Sequence, residues 1–285
     1  MALISATELH DRLDDPRLRV VDVRWVLGKP GAGREAYDAG HLPGAIHLDL
    51  DTDLSDHAGL GAPGRHPLPS AAEFVARMAA RGIGNEHTVV AYDDVGGGHA
   101  ARLWWMLDDL GHADVHVLDG GIAAWVAAGY PVTTAVPDWP HATLALADHW
   151  TSVVDREALV DRLETVVLLD GRAPERYRGE VEPIDPIAGH IPTARNLPST
   201  GNVGPDDRFL APEAIRARFT SVGADGSGRP VVSSCGSGVN ACHNALAMHL
   251  AGLPAPIIYV GSYSDWSRSG MPTAVGSQPG ELPRE

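Results

Sequence analysis

Short apolar, β-branched runs alternate along the chain with longer segments whose apolar residues recur every three to four positions. Residues 20–23, 88–92 and 115–118 have the length and composition of buried strands, and 166–170, 230–234 and 257–260 repeat that character further on. Residues 71–81, 100–110 and 239–251 carry helical periodicity, and Gly111 and Gly252 stand where a helix ends in a left-handed residue. Strands alternating with helices predict a mostly parallel sheet covered by helices on both faces, an α/β fold.

The pattern occurs twice. Val20-Val21-Asp22-Val23-Arg24 is echoed by Leu168-Leu169-Asp170-Gly171-Arg172, and Gly40-His41-Leu42-Pro43 by Gly189-His190-Ile191-Pro192. Val89-Val90-Ala91-Tyr92-Asp93 matches Val231-Val232-Ser233-Ser234-Cys235, and Gly120, Trp125, Gly129 and Pro131 match Gly261, Trp266, Gly270 and Pro272. Four matches in the same order, each half far longer than a solenoid unit, predict a duplicated domain. The expected organisation is a first domain over 1–133, a linker over 134–149 marked by Pro137 and Pro140, a second domain over 150–275, and a mobile Gly/Pro-rich tail over 276–285.

Charge narrows the partners. With 22 basic and 37 acidic residues, the formal net charge of −15 repels phosphate backbones, which argues against nucleic acid. A small anionic substrate would therefore need a local positive site. There is no apolar run long enough for a membrane span, and the first residues carry acids where a secretory signal would carry bases, so the expected compartment is the cytoplasm. The two cysteines, Cys235 and Cys242, give no disulfide framework, and no ligand spacing for zinc accompanies them. No metal or cofactor is called for, and any cysteine role is chemical.

The segment Ser233-Ser234-Cys235-Gly236-Ser237-Gly238-Val239-Asn240 follows a buried strand and runs into a helix. Parallel α/β sheets bind ligands at the carboxyl ends of their strands, where Cys235 falls. Gly236 and Gly238 permit positive φ and leave no Cβ in the way, so the loop can curl its N–H groups around the sulfur as an anion nest backed by the helix dipole. Such a nest favours thiolate and would equally hold the terminal sulfur of a persulfide. Cys242, two turns into an apolar helix, reads as packing. Cysteine phosphatases also place a cysteine loop at a helix start, but they need an arginine six residues on, and here that residue is Ala241.

These motifs (Asp-x-Arg, Gly-His-Ile/Leu-Pro, the cysteine loop and the late Gly-x-x-x-x-Trp) resemble the tandem rhodanese family of thiosulfate and 3-mercaptopyruvate sulfurtransferases over residues 4–273. The resemblance implies two rhodanese-like domains, the second catalytic through Cys235 and the first silent, since Asp93 stands in the cysteine's place. It implies sulfur transfer from mercaptopyruvate or thiosulfate to cyanide, a thiol or a thioredoxin-like protein. The neutral loop is similar to that of the mercaptopyruvate branch, in which the hydroxyl matching Ser237 polarises the carbonyl or relays a proton. Arg176 matches the first substrate-binding arginine; Gly236, Gly238, Val239 and Asn240 complete the loop, and His66 and Asp51 match residues the family brings into its active cleft. Two positions depart from the pattern: Asp185 where a second substrate arginine is expected, and Asn240 for a threonine. The competing class is a non-catalytic rhodanese-like binding or regulatory module. His41 and His190, present in both halves, are expected to serve the fold, and Gly96-Gly97-Gly98 reads as the relic of the duplicate's active loop.

Overall fold

A computed structural model of the chain describes residues 2–56 and 64–281; residues 282–285 of the expected tail lie outside the described part. The first half contains β1 (Leu3–Ile4), α1 (Ala6–His10), β2 (Leu18–Asp22), α2 (Ala32–Ala39), β3 (Ala45–His47), α3 (Ala71–Ala80), β4 (Thr88–Tyr92), α4 (Ala100–Asp109), β5 (Val115–Leu118) and α5 (Gly121–Ala127). The second contains β6 (Val153–Val154), α6 (Arg156–Val160), β7 (Val167–Asp170), α7 (Pro174–Tyr177), β8 (Arg195–Asn196), α8 (Pro212–Ser221), β9 (Val231–Ser234), α9 (Val239–Leu250), β10 (Ile257–Tyr259) and α10 (Ser262–Trp266). Each half forms a five-stranded sheet, ordered β1-β5-β4-β2-β3 in one and β6-β10-β9-β7-β8 in the other. Every strand pairing is parallel, as the continuous apolar runs require of strands buried on both faces.

The repeated motifs turn out to be the clamps of each unit. Asp22 receives Arg24 through Nη2 at 2.6 Å, and the same guanidinium donates to the carbonyl of Gly40 at 2.9 Å. Asp170, Arg172 and Gly189 repeat this arrangement at 2.7 and 2.6 Å. Asp-x-Arg thus ties a strand end to the start of the Gly-His-x-Pro segment. The histidines of that segment stack on Tyr37 and Tyr177, with ring centroids 3.8 and 3.7 Å apart. His41 Nδ1 lies 2.8 Å from the carbonyl of Tyr37, and Nε2 lies 3.1 Å from that of Ala135. His190 meets the carbonyls of Tyr177 and Gln278 in the same way. In the late motif, the indoles of Trp125 and Trp266 each donate to the carbonyl of a proline, Pro131 and Pro272, at 2.9 Å. Both tryptophans are fully buried and sit in matching cores beside Tyr37, Leu42 and Val90 or Tyr177, Ile191 and Val232.

Two compact units result among the described residues: 2–56, 68–151 and 203–209 in one, and 64–67, 152–202 and 210–281 in the other. Residues 64–67 and 203–209 therefore group away from their sequence neighbours. The segment expected as a linker contains no helix or strand, but it is fastened to the first unit. The carbonyl of Thr143 accepts from Asn85 N at 3.1 Å, and Arg19 lies over the Trp139 ring at 3.9 Å. The tail also differs from expectation where it is described. Gly276 N donates to Arg178 O, and Pro279 O accepts from Thr193 N, so peptide groups there serve the second unit instead of being left to solvent.

Candidate active site

Strand β9 ends at Ser234, and Cys235 is the next residue, so the sulfur stands at the carboxyl edge of the second sheet. The chain then turns at Gly238, which has φ +81° and caps α9, a helix of 12 residues. A Cβ on Gly238 would lie 2.6 Å from the carbonyl oxygen of Val260, so only glycine lets this turn press against the end of β10. Gly236 does not use positive φ, contrary to the sequence expectation. Its missing Cβ matters for another reason: a Cβ there would lie 2.8 Å from Arg65 Nη2 and 3.6 Å from Arg176 Nη1.

Cys235 is buried, and its Sγ accepts N–H groups from Ser237 at 3.4 Å and Gly238 at 3.1 Å. Among the described residues these two are the donors to the sulfur; Val239 and Asn240, expected to complete the loop, are the first residues of α9. Helix α10 holds the loop from the other side. Ser262 Oγ accepts from Cys235 N at 3.1 Å and donates to Tyr259 O at 2.8 Å, while Tyr263 N and Ser264 N donate to the carbonyls of Cys235 and Gly236. Ser262 has φ +51°, a left-handed conformation that costs a residue bearing a Cβ. The matching residue of the first half is Gly121, at φ +55°. A serine in a glycine's place was the sequence signal for this contact, and sequence reasoning passed over it.

Ser237 Oγ is 2.8 Å from His66 Nδ1, and both side chains are buried. His66 lies in residues 64–67, hence in the same unit as Cys235. Asp51 belongs to the other unit, where its carboxylate accepts from Trp25 Nε1 at 2.9 Å. Cys242 is fully buried, and its thiol donates to the carbonyl of Gly238 one turn back at 3.3 Å.

An ion-pair cluster borders the loop. Arg176 donates to Glu182 at 2.7 Å and to Asp185 at 3.2 Å through Nη2. Asp185, whose side chain is fully buried, also receives Arg65 Nη1 and, at 3.3 Å, Arg268 Nη1. Arg65, the immediate neighbour of His66, is the functional candidate that sequence reasoning missed. Burial raises the cost of charge on Glu182, but Arg176 and the N–H groups of Asp185 and Ile184 outweigh it and hold its carboxyl below the usual range. Arg178, by contrast, forms a surface pair with Glu180 at 2.7 Å.

The first unit shows the same turn filled by a carboxylate. Asp93 follows β4 as Cys235 follows β9, and its two oxygens accept the N–H groups of Val95, Gly97, His99 and Ala100 at 2.7 to 3.0 Å. The Gly96-Gly97-Gly98 run is the loop that wraps it. Asp93→Asn leaves two of those buried N–H groups facing an amide NH2, and it is expected to cost about 2 kcal/mol in chemical denaturation. A change below about 0.5 kcal/mol would show that the carboxylate is not what orders the loop.

A cysteine sulfur held by peptide N–H groups at a helix start, with guanidinium groups alongside, is the candidate active site of this α/β domain. Known proteins identify the family. The rhodanese-like domain model matches residues 5–128 and again 155–269. The chain is 45% identical over 270 residues to a probable 3-mercaptopyruvate sulfurtransferase of Pseudomonas aeruginosa, covering 93% of this chain and 94% of the relative. It is 42% identical over 270 residues to a putative thiosulfate sulfurtransferase of Mycobacterium tuberculosis, covering 93% of each. The solved 3-mercaptopyruvate sulfurtransferase of Leishmania major is similar with a TM-score of 0.82 and 34% identity, over 93% of this chain and 74% of that one. The chain belongs to the tandem-domain rhodanese family and is a sulfurtransferase.

Proposed function

We propose that this sulfurtransferase takes the sulfur of 3-mercaptopyruvate onto Cys235 as a persulfide and passes it to a thiophilic acceptor. The observation that carries the reading is the Cys235 sulfur facing the N–H groups of Ser237 and Gly238 at 3.4 and 3.1 Å. Those dipoles lower the cost of negative charge on the attacking thiolate and near the persulfide that replaces it.

In the first half-reaction the Cys235 thiolate attacks the donor's sulfur. An S–S bond forms, the C–S bond breaks, and its electron pair leaves as the enolate of pyruvate. That carbon then needs a proton. In this reading Ser237 relays it, a role supported by its hydrogen bond with His66 at 2.8 Å. Arg176 grips the donor carboxylate, and its Nη1, near Gly236, makes no hydrogen bond among the described residues. Gly236, Gly238, Val239 and Asn240 shape the loop that receives the donor. With thiosulfate as a second donor, the leaving group is sulfite and no proton is required.

In the second half-reaction an acceptor takes the outer sulfur and returns the thiolate: cyanide becomes thiocyanate, and a thiol or a thioredoxin-like protein becomes a persulfide. Two free cysteines suit a reducing compartment, and we place the enzyme in the cytoplasm. No helix among the described residues is long and apolar enough to cross a membrane. The first unit, with Asp93 in the cysteine's place, takes no sulfur.

Two half-reactions sharing one covalent intermediate predict ping-pong kinetics. Initial rates with mercaptopyruvate varied at several fixed thiol concentrations should give parallel double-reciprocal lines. Intersecting lines would mean that donor and acceptor meet on the enzyme without a persulfide. A kcat/KM for thiosulfate tenfold above that for mercaptopyruvate, a preference of about 1.4 kcal/mol, would reverse the choice of donor.

A further inference from the structure

Asp185 is a buried carboxylate that receives three guanidinium groups, those of Arg65, Arg176 and Arg268. Burial alone explains one such partner, because an isolated buried charge is costly. The other two need a further reason, and the cysteine loop supplies it. Arg65 Nη2 and Arg176 Nη1 approach within 2.8 and 3.6 Å of the place a Cβ on Gly236 would occupy. Arg65 Nε is buried and has no hydrogen-bond partner among the described residues. Two of the three guanidinium groups held by Asp185, those of Arg65 and Arg176, are therefore the ones that face the residue next to Cys235.

The charge of this cluster is low for its number of arginines. Arg65, Arg176 and Arg268 face the acids Glu182 and Asp185, which leaves one positive charge. Arg172 shares Glu182 at 3.3 Å, but it brings Asp170 with it at 2.7 Å, so counting that pair leaves the net charge unchanged. One net positive charge matches a donor with one negative charge, such as a 2-oxo-carboxylate thiol. A dianion such as thiosulfate would bring a surplus negative charge next to the attacking thiolate.

We propose that Asp185 is a specificity-determining residue: it positions Arg65 and Arg176 at the cysteine loop while cancelling part of their charge, and so biases the site toward monoanionic donors. The inference rests on the proposed function above and deepens it. Asp185 need not touch the donor, because it acts through the arginines.

The test compares kcat/KM for 3-mercaptopyruvate and thiosulfate in the wild type, Asp185→Asn and Asp185→Glu, at low and high ionic strength. The asparagine keeps size and an acceptor oxygen but adds one unit of positive charge. The thiosulfate-to-mercaptopyruvate ratio is expected to rise by about fivefold or more in Asp185→Asn, with the gain shrinking as salt is added. Asp185→Glu, with the charge retained, should keep the wild-type ratio. A parallel fall for both donors in Asp185→Asn, with the ratio unmoved, would reduce Asp185 to a structural role and overturn the inference. Should the asparagine variant fail to fold, Arg268→Gln reads the same effect in the opposite direction from a half-exposed position. Its ratio should fall, and an unchanged ratio would overturn the inference equally. A wild type inert toward both donors would instead remove the proposed function, so the two failures are distinguishable.

Discussion

Serine in place of Cys235 is expected to abolish sulfur transfer from either donor, lowering kcat/KM by at least about four orders of magnitude. The substitution removes one polarisable atom and keeps the shape of the loop. Sγ makes its contacts with the N–H groups of Ser237 and Gly238, and a hydroxyl can accept from the same pair. The fold should therefore persist, with thermal unfolding close to that of the wild type. Activity falls because an oxygen nucleophile at neutral pH neither attacks sulfur readily nor carries it away. The discontinuous appearance of thiocyanate checks the prediction with either donor and cyanide as acceptor. Residual turnover above a hundredth of the wild-type rate would move the chemistry elsewhere, with Cys242 the remaining thiol to examine.

The second large effect concerns stability. Asp170→Ala is expected to destabilise the second unit by about 3–5 kcal/mol, because it strands the buried guanidinium of Arg172. The Arg172 side chain is 2% exposed, donates to Asp170 through Nε and Nη2, and stacks 3.7 Å from the centre of the Tyr263 ring. Glu182 at 3.3 Å and the carbonyl of Gly189 at 2.6 Å would remain, and they cannot replace a bidentate partner. Denaturant titration of the full chain measures the loss; a shift below about 1 kcal/mol would mean that the pair contributes no more than an exposed one. Activity should suffer too. Gly171 follows Asp170 directly, and a Cβ on it would lie 3.6 Å from Cys235 Cβ, so the clamp and the nucleophile share one strand edge.

The sequence and the structure agree where physics is local. The alternation of β-branched runs with helical segments gave both parallel sheets, since strands buried on two faces leave a continuous apolar signature. The repeated motifs could be found by comparison of the halves, but their purpose could not. That Asp-x-Arg reaches the Gly of Gly-His-x-Pro, and that each late tryptophan bonds a proline carbonyl, became visible only with tertiary distances.

The candidate site divides in the same way. Cys235 and Gly238 are legible because a cysteine between a strand and a helix start, followed by glycine, leaves few conformational choices, whereas Ser237 and His66 come only through the family resemblance. Of the two reasons for a glycine at 236, the missing Cβ holds, since it makes room for guanidinium groups, and positive φ does not. Arg65 was missed because nothing in Arg65-His66-Pro67 announces a partner 120 residues away at Asp185. Asp185 itself was read as a lost cationic contact, whereas it gathers three arginines around a single buried carboxylate. Ion pairs between distant segments leave no periodicity, so composition and spacing cannot reveal them.

The most direct measurement is the intact mass of the protein after incubation with 3-mercaptopyruvate, without any acceptor, followed by removal of small molecules. The wild type should gain the mass of one sulfur atom, located on the peptide bearing Cys235, and lose it again when cyanide is added. An unchanged mass in a protein that nonetheless turns over the donor would contradict the persulfide on which the account rests.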